Sequence, residues 1–169
     1  MKKIFLILFS IIVFSSCDNN HGIVKYDDPK TDAIRTVFEY VSNEDNSYLE
    51  EVFSKEMFMV NPVNDTIYYD DFLAGIEDMY DLFDDIAFDT GDGDANADEV
   101  ETNYYTSGLV WTQIWSSFEA TGKYTKEKVS FPFHIAYRWE GDKIIEEYQF
   151  FDMTVFKNEE QAKIESLNN

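Results

Sequence analysis

Three runs between Leu109 and Asp152, LVWTQIWSSFEATGK, KVSFPFHIAYRWEGD and KIIEEYQFFD, leave this chain little choice about its centre. Each is rich in aromatic and β-branched residues, and Thr121-Gly122 and Gly141-Asp142 break them at turn positions. That punctuation predicts consecutive antiparallel hairpins. A sheet of this kind buries one face, so the helical segments upstream are expected to fold over it.

The N-terminus reads as an export signal. Lys2 and Lys3 precede an apolar run, Ile4 to Phe14, that is shorter than the roughly 20 residues needed to span a membrane. The run ends in Ser15-Ser16-Cys17, which resembles the lipobox of bacterial lipoproteins. Residues 1–16 are then a leader and Cys17 carries the lipid, with no second cysteine to form a disulfide within the chain. Membrane attachment through that lipid implies the bacterial cell envelope, with the outer membrane favoured and the leaflet open. Residues 17–28 are polar and serve as a tether, leaving 29–169 for one domain.

Net charge is −21, and loss of Lys2 and Lys3 makes the mature chain two charges more negative. Such a surface repels phosphate backbones, so nucleic acid is not an expected partner. An aromatic content of 17% argues that the charge decorates a folded body rather than a disordered acidic tail.

Asp28-Pro29 places a cap before a first-turn proline, and Ile34, Val37, Phe38 and Val41 follow at helical spacing. Ser47 and Glu50 fit the capping box of a second, shorter helix. Two short β-prone runs flank Asn61-Pro62 as a small hairpin. From Asp70, the set Phe72, Leu73, Ile76, Met79, Tyr80, Phe83 and Ile86 predicts one face of a third helix. Asp84 and Asp85 would then sit unfavourably at its C-terminal end. Beyond Phe156 the pattern allows a terminal helical turn or two.

This order of elements, with Thr121 to Lys128 as a hairpin, Phe131-Pro132-Phe133-His134, and a closing Tyr148-Gln149-Phe150-Phe151-Asp152, resembles the SnoaL-like (polyketide-cyclase-like) branch of the NTF2-like superfamily. The resemblance covers about residues 29–156. It implies an α+β cone, a curved antiparallel sheet wrapped by about three N-terminal helices around a pocket, and often a homodimer. In enzymatic members an aspartate near the end of the last strand is a general base, and Asp152 is the matching position.

Asp152 interrupts an apolar run, where a carboxylate is costly unless paired, hydrogen-bonded or protonated. His134 alternates with Phe133 and Ile135, and whether it shares a face with Asp152 depends on the register. A two-residue Gly141-Asp142 turn separates them, whereas a three-residue turn from Glu140 puts them together. Trp111 and Trp115, with Tyr148 and Phe150 across the sheet, could line a ligand pocket or simply form core.

No basic residue occurs between Lys55 and Lys123, a span crowded with carboxylates. Within it, Asp92, Asp94, Asn96 and Asp98 have the spacing of the first half of a calcium loop, but Ala97 replaces the glycine and Asn103 the bidentate glutamate. The residues present no phosphate-binding glycine loop, metalloprotease helix or serine triad. No cofactor is indicated. The expected function is a lipid-anchored envelope protein whose domain binds a small apolar or aromatic ligand, or a protein partner. The alternative is an isomerase or cyclase-type enzyme with Asp152 as general base.

Overall fold

Asp28 and Pro29 begin the first helix as their order predicts. In the computed structural model, which describes residues 21–89 and 100–168, the Asp28 carboxylate accepts from the Lys30 backbone N–H at 3.0 Å, and Pro29 opens α1, Pro29–Ser42. A first-turn proline forfeits no intrahelical hydrogen bond. Cys17, the leader expected before it and the Asp92, Asp94, Asn96, Asp98 run lie outside the described residues. Helix α2, Ser47–Val52, starts differently from the expected capping box: Asn46 is the cap residue without a side-chain hydrogen bond, and the Ser47 N–H donates to the Asp45 carboxylate at 2.8 Å.

Strands β2, Phe53–Val60, and β3, Thr66–Tyr68, form the small hairpin before α3, Tyr69–Leu82. The third helix is shorter than its apolar period suggested. Phe83 and Ile86 belong instead to strand β4, Phe83–Phe88, whose buried residues carry the apolar pattern onward. Asp84 and Asp85 are therefore not helical. Lys123 relieves the end of α3, its ammonium donating to the Tyr80 carbonyl and lying 3.6 Å from Asp84, which places a cation where the helix dipole is negative.

Among the described residues the sheet has eight strands, in the order β1-β5-β6-β7-β8-β2-β3, with β4 pairing β6 off that path. Here β1 is Gly22–Lys25, β5 Val100–Tyr105, β6 Val110–Gly122, β7 Lys128–Glu140 and β8 Lys143–Phe150. All neighbours are antiparallel except β2 and β8. The segment expected to be only a tether thus contributes an edge strand, β1, paired to β5. The long strands β6 and β7 pair along twelve registered positions, enough to carry one face from β5 to the far end of the cone.

Helices α1, α2 and α3 cover that inner face, as the α+β cone requires. A fourth, α4, Thr154–Leu167, is much longer than the turn or two expected. It is fastened by Glu159, which is buried and accepts from the backbone N–H groups of Tyr124 and Thr125 and from the Thr125 hydroxyl. One carboxylate thereby satisfies the turn between β6 and β7 and anchors the C-terminal helix.

Register between β7 and β8 follows neither simple alternative. Next to the turn, Glu140 faces Lys143 and Trp139 faces Ile144; one residue later Arg138 faces Glu146. Ile145 is thus an extra residue, a β-bulge, and it flips the face of everything after it. Without the bulge Glu146 would point inward; with it, Glu147 does.

Candidate functional site

Under the helices the sheet does not close completely. A cavity of about 120 Å³ lies between α1, α2, α3 and the inner faces of β6, β7 and β8, with Phe151 and Phe156 at the α4 end. Its walls are almost entirely aliphatic and aromatic, including Val41 and Phe38 of α1, Leu49 of α2, Ile76 of α3, and Phe133 and Ile135 of β7. Aromatic edges meet around it: Phe38 and Phe88 are 4.8 Å apart between ring centres, and Phe53 and Phe72 5.0 Å. These contacts fix the walls and leave few polar atoms to orient a guest.

Three lining side chains carry polar groups: Tyr137 on β7, and Glu147 and Gln149 on β8. Glu147 is 2% exposed. The Gln149 amide donates to Glu147 Oε1 at 2.6 Å, while Glu147 Oε2 is buried without a hydrogen-bond partner. Burial pushes this carboxyl up to about 7, although the Gln149 hydrogen bond pulls the other way. Burial, reinforced by the charge of Glu147, holds the Tyr137 hydroxyl well above its ordinary value. A carboxyl that burial raises to about 7, with one oxygen lacking a hydrogen-bond partner, can donate a hydrogen bond, accept one, or transfer a proton.

The residues singled out from the sequence lie elsewhere. Asp152 is exposed beyond the end of β8, where its carboxylate accepts from the Thr154 hydroxyl at 2.6 Å and the Thr154 N–H at 2.9 Å. Those two hydrogen bonds hold it below the usual carboxylate value. Asp152 thus takes the hydrogen-bonded alternative: it serves the start of α4 and does not line the cavity. His134 faces away from the cavity, its Nδ1–H donating to the Ile114 carbonyl at 3.0 Å. The structure therefore makes no His134–Asp152 pair.

The four aromatic pocket candidates share the outer face of the sheet. Trp115, His134 and Phe150 stack in one cross-strand row, with ring centres 4.6 and 5.7 Å apart, and Trp111 leans on Tyr148 at 5.9 Å. Trp115 is 44% and Phe150 57% exposed, so this row meets solvent rather than the helices. It stacks across strands and forms no part of the cavity wall.

Glu147 was missed because strict alternation was assumed through Lys143-Ile144-Ile145-Glu146-Glu147-Tyr148. A doubled apolar pair followed by a doubled acidic pair breaks the period of two, and that break marks the bulge.

No family model matches the chain, and no curated protein matches it. Solved structures do. A candidate SnoaL-like polyketide cyclase from Jannaschia superposes with a TM-score of 0.58 at 11% identity, over 79% of this chain and 95% of that one. An NTF2-like protein of unknown function from Burkholderia pseudomallei gives 0.58 at 11%, over 78% and 96%. A protein of ketosteroid isomerase-like fold from Catenulispora acidiphila, in complex with trimethylamine, gives 0.55 at 10%, over 73% and 87%.

Proposed function

The chain has the NTF2-like fold of the SnoaL-like polyketide cyclases, and on that footing we propose that it is a lipid-anchored envelope protein whose domain takes up a small apolar molecule in the cavity beneath α1, α2 and α3. The observation that carries this reading is an apolar cavity whose only polar lining residues are Tyr137, Glu147 and Gln149. Ligand sites are of this kind, apolar over most of their surface with a few convergent polar groups. Methyl NMR with toluene tests it. Saturable shifts at Val37, Val41, Leu49 and Ile135, suppressed when Ile76→Phe fills the space, support the reading; shifts confined to other methyls count against it.

Anchoring rests on Cys17 behind Ser15-Ser16. Cys17→Ser should move the protein from the membrane pellet to the soluble fraction, and equal retention in the pellet would dismiss the lipid.

A second reading, proton transfer, is favoured by the unpartnered Glu147 oxygen. In that reading Glu147, rather than Asp152, removes a proton from carbon beside a carbonyl and returns it elsewhere on the same molecule. Loss of deuterium from α-deuterated cyclohexanone, accelerated by the protein and not by Glu147→Gln, would support it.

A further inference from the structure

We propose that the β1 edge of the sheet, with the turn between β5 and β6, lies on the surface of the bilayer that holds the Cys17 lipid and so fixes how the domain stands on the membrane. The proposal rests on the reading of Cys17 as the anchor and adds a contact that the anchor alone does not require.

The leash is short. Four residue steps separate Cys17 from His21, and at no more than about 3.6 Å per step they span at most about 14 Å. Paired structure starts at once beyond them: the Thr106 N–H donates to the His21 carbonyl at 3.2 Å, and β1 pairs from Gly22 against Tyr105. Gly22 has a φ of +152°, and a Cβ there would collide with the Tyr104 carbonyl oxygen, so glycine is what lets the strand begin this close. A domain whose radius of gyration exceeds about 13 Å therefore hangs on a leash about as long as its own radius, and the side where the leash enters meets the surface first.

That side is apolar. Ile23, Val24, Tyr105 and Leu109 are each between 41% and 58% exposed. They adjoin one another, since Ile23 and Val24 are consecutive on β1, Gly22 faces Tyr105 across the ladder, and the Leu109 carbonyl accepts from the Tyr105 N–H at 2.9 Å. Val24 pairs with Asn103, which pairs with Trp111, so Val24 lies on the outer face; Ile23, opposite Tyr104, lies on the helix side. Apolar side chains thus flank the edge on both faces, in the form of a wedge.

The same edge is free of carboxylates. In a chain with 34 of them, none occurs from Asn19 to Tyr26 or from Thr102 to Phe118, and Lys25 is the one formal charge in the two segments. Lys25 stays 3.4 Å from Asp28 and over the Tyr104 ring. Anionic headgroups therefore repel most of this surface but not the β1 edge. Carboxylates resume at Glu140 and Asp142 in the turn between β7 and β8, where Lys30 reaches the Gly141 carbonyl and Asp142; that turn bounds the contact.

Penetration is shallow. Among the described residues β1 has a partner on one side only, and unpaired backbone groups do not enter hydrocarbon. The side chains reach inward while the strand stays among hydrated headgroups, the level that tyrosine prefers.

The test uses the full chain, processed and lipidated in the cell, in nanodiscs of phosphatidylethanolamine and phosphatidylglycerol with a gadolinium chelate on some headgroups. NMR broadening should be greatest at Ile23, Val24, Tyr105 and Leu109. It should be least at Tyr124 and Thr125, in the turn at the other end of the thirteen-residue β6. The double variant Ile23→Ser, Leu109→Ser changes only exposed positions, so it should keep fold and lipid yet lose this gradient as the domain tumbles on its leash.

Uniform broadening of the parent, or broadening greatest at Tyr124 and Thr125, in a protein whose mass carries the lipid, would overturn the docking and leave the anchor standing. An unchanged gradient in the double variant would overturn the role of these side chains. Protection of the β1 amides from hydrogen exchange that requires a second copy in the disc would overturn the proposal in favour of pairing between chains at this edge. A parent mass without the lipid would remove the anchor and the docking together.

Discussion

Gln149 donates its amide to one oxygen of Glu147 at 2.6 Å and leaves the other buried without a hydrogen-bond partner. The two residues are neighbours on the same face of β8, and the hydrogen bond divides the carboxyl into an occupied side and a free one. This arrangement has a cost that depends on pH.

Glu147 is raised from 4.5 to about 7 in the folded chain. The folded state thus holds a proton that the unfolded state releases, and stability from this group is full below about 4.5 and lost as pH rises through about 7. Relative to Glu147→Gln, the parent should lose about 3 kcal/mol between those limits, at about 1.4 kcal/mol per tenfold change in proton affinity. Urea melts of both proteins across that range measure the difference, and parallel curves would show that Glu147 is solvated.

Removing the Gln149 donor should act in the same direction. Gln149→Leu withdraws a hydrogen bond that favours the charged carboxylate, so the loss of stability with pH should extend to higher pH than in the parent. A shift of the same melts to lower pH would contradict the assigned role of the amide.

Asp152→Asn should lower the melting temperature modestly, because the charged acceptor of the Thr154 hydroxyl and N–H is weakened at the start of α4. It should leave toluene binding unchanged. Loss of binding with retained fold would move the functional site from Glu147 to the end of β8.

How much of this was legible in the sequence differs from residue to residue. Asp28-Pro29 predicted α1 because cap and first-turn proline act locally, within a few residues of chain. The hairpin partners of β6, β7 and β8 were readable for the same reason, since Gly122 and Gly141 mark turns whose flanking strands must pair. Phe83 and Ile86 misled because apolar spacings of three and four also fit a helix that stops and a strand that starts, and only packing against β6 decides. Glu147 was hidden by Ile145: one extra residue exchanged the inward and outward carboxylates, and the broken period of Ile144-Ile145-Glu146-Glu147 is its one trace in the sequence. Trp115, His134 and Phe150 meet in a row across three strands, but nothing local says which face the helices cover.

A buried hydroxyl chain crosses from sheet to helix with its direction fixed at both ends. Trp139 Nε1–H can only donate, and does so to Thr112 at 2.9 Å; Thr112, Thr102 and Thr31 then follow at 2.8 Å each, and Thr31 donates to the Lys25 carbonyl at 3.4 Å. Thr102→Val interrupts the middle and leaves two buried hydroxyl groups short of a partner, so it should cost about 2 to 3 kcal/mol. Thr102→Ser, which keeps the hydroxyl, should cost clearly less. Equal losses for the two variants in denaturant melts would assign the effect to packing alone.

The central claim is that Glu147 sits inside an apolar cavity rather than on the surface beside Glu146. An NMR titration of the Glu147 carboxyl carbon, identified by the signal that disappears in Glu147→Gln, tests it most directly. A midpoint at about 7 is the expected result; a midpoint at the ordinary 4.5 would place the group in water and contradict the account.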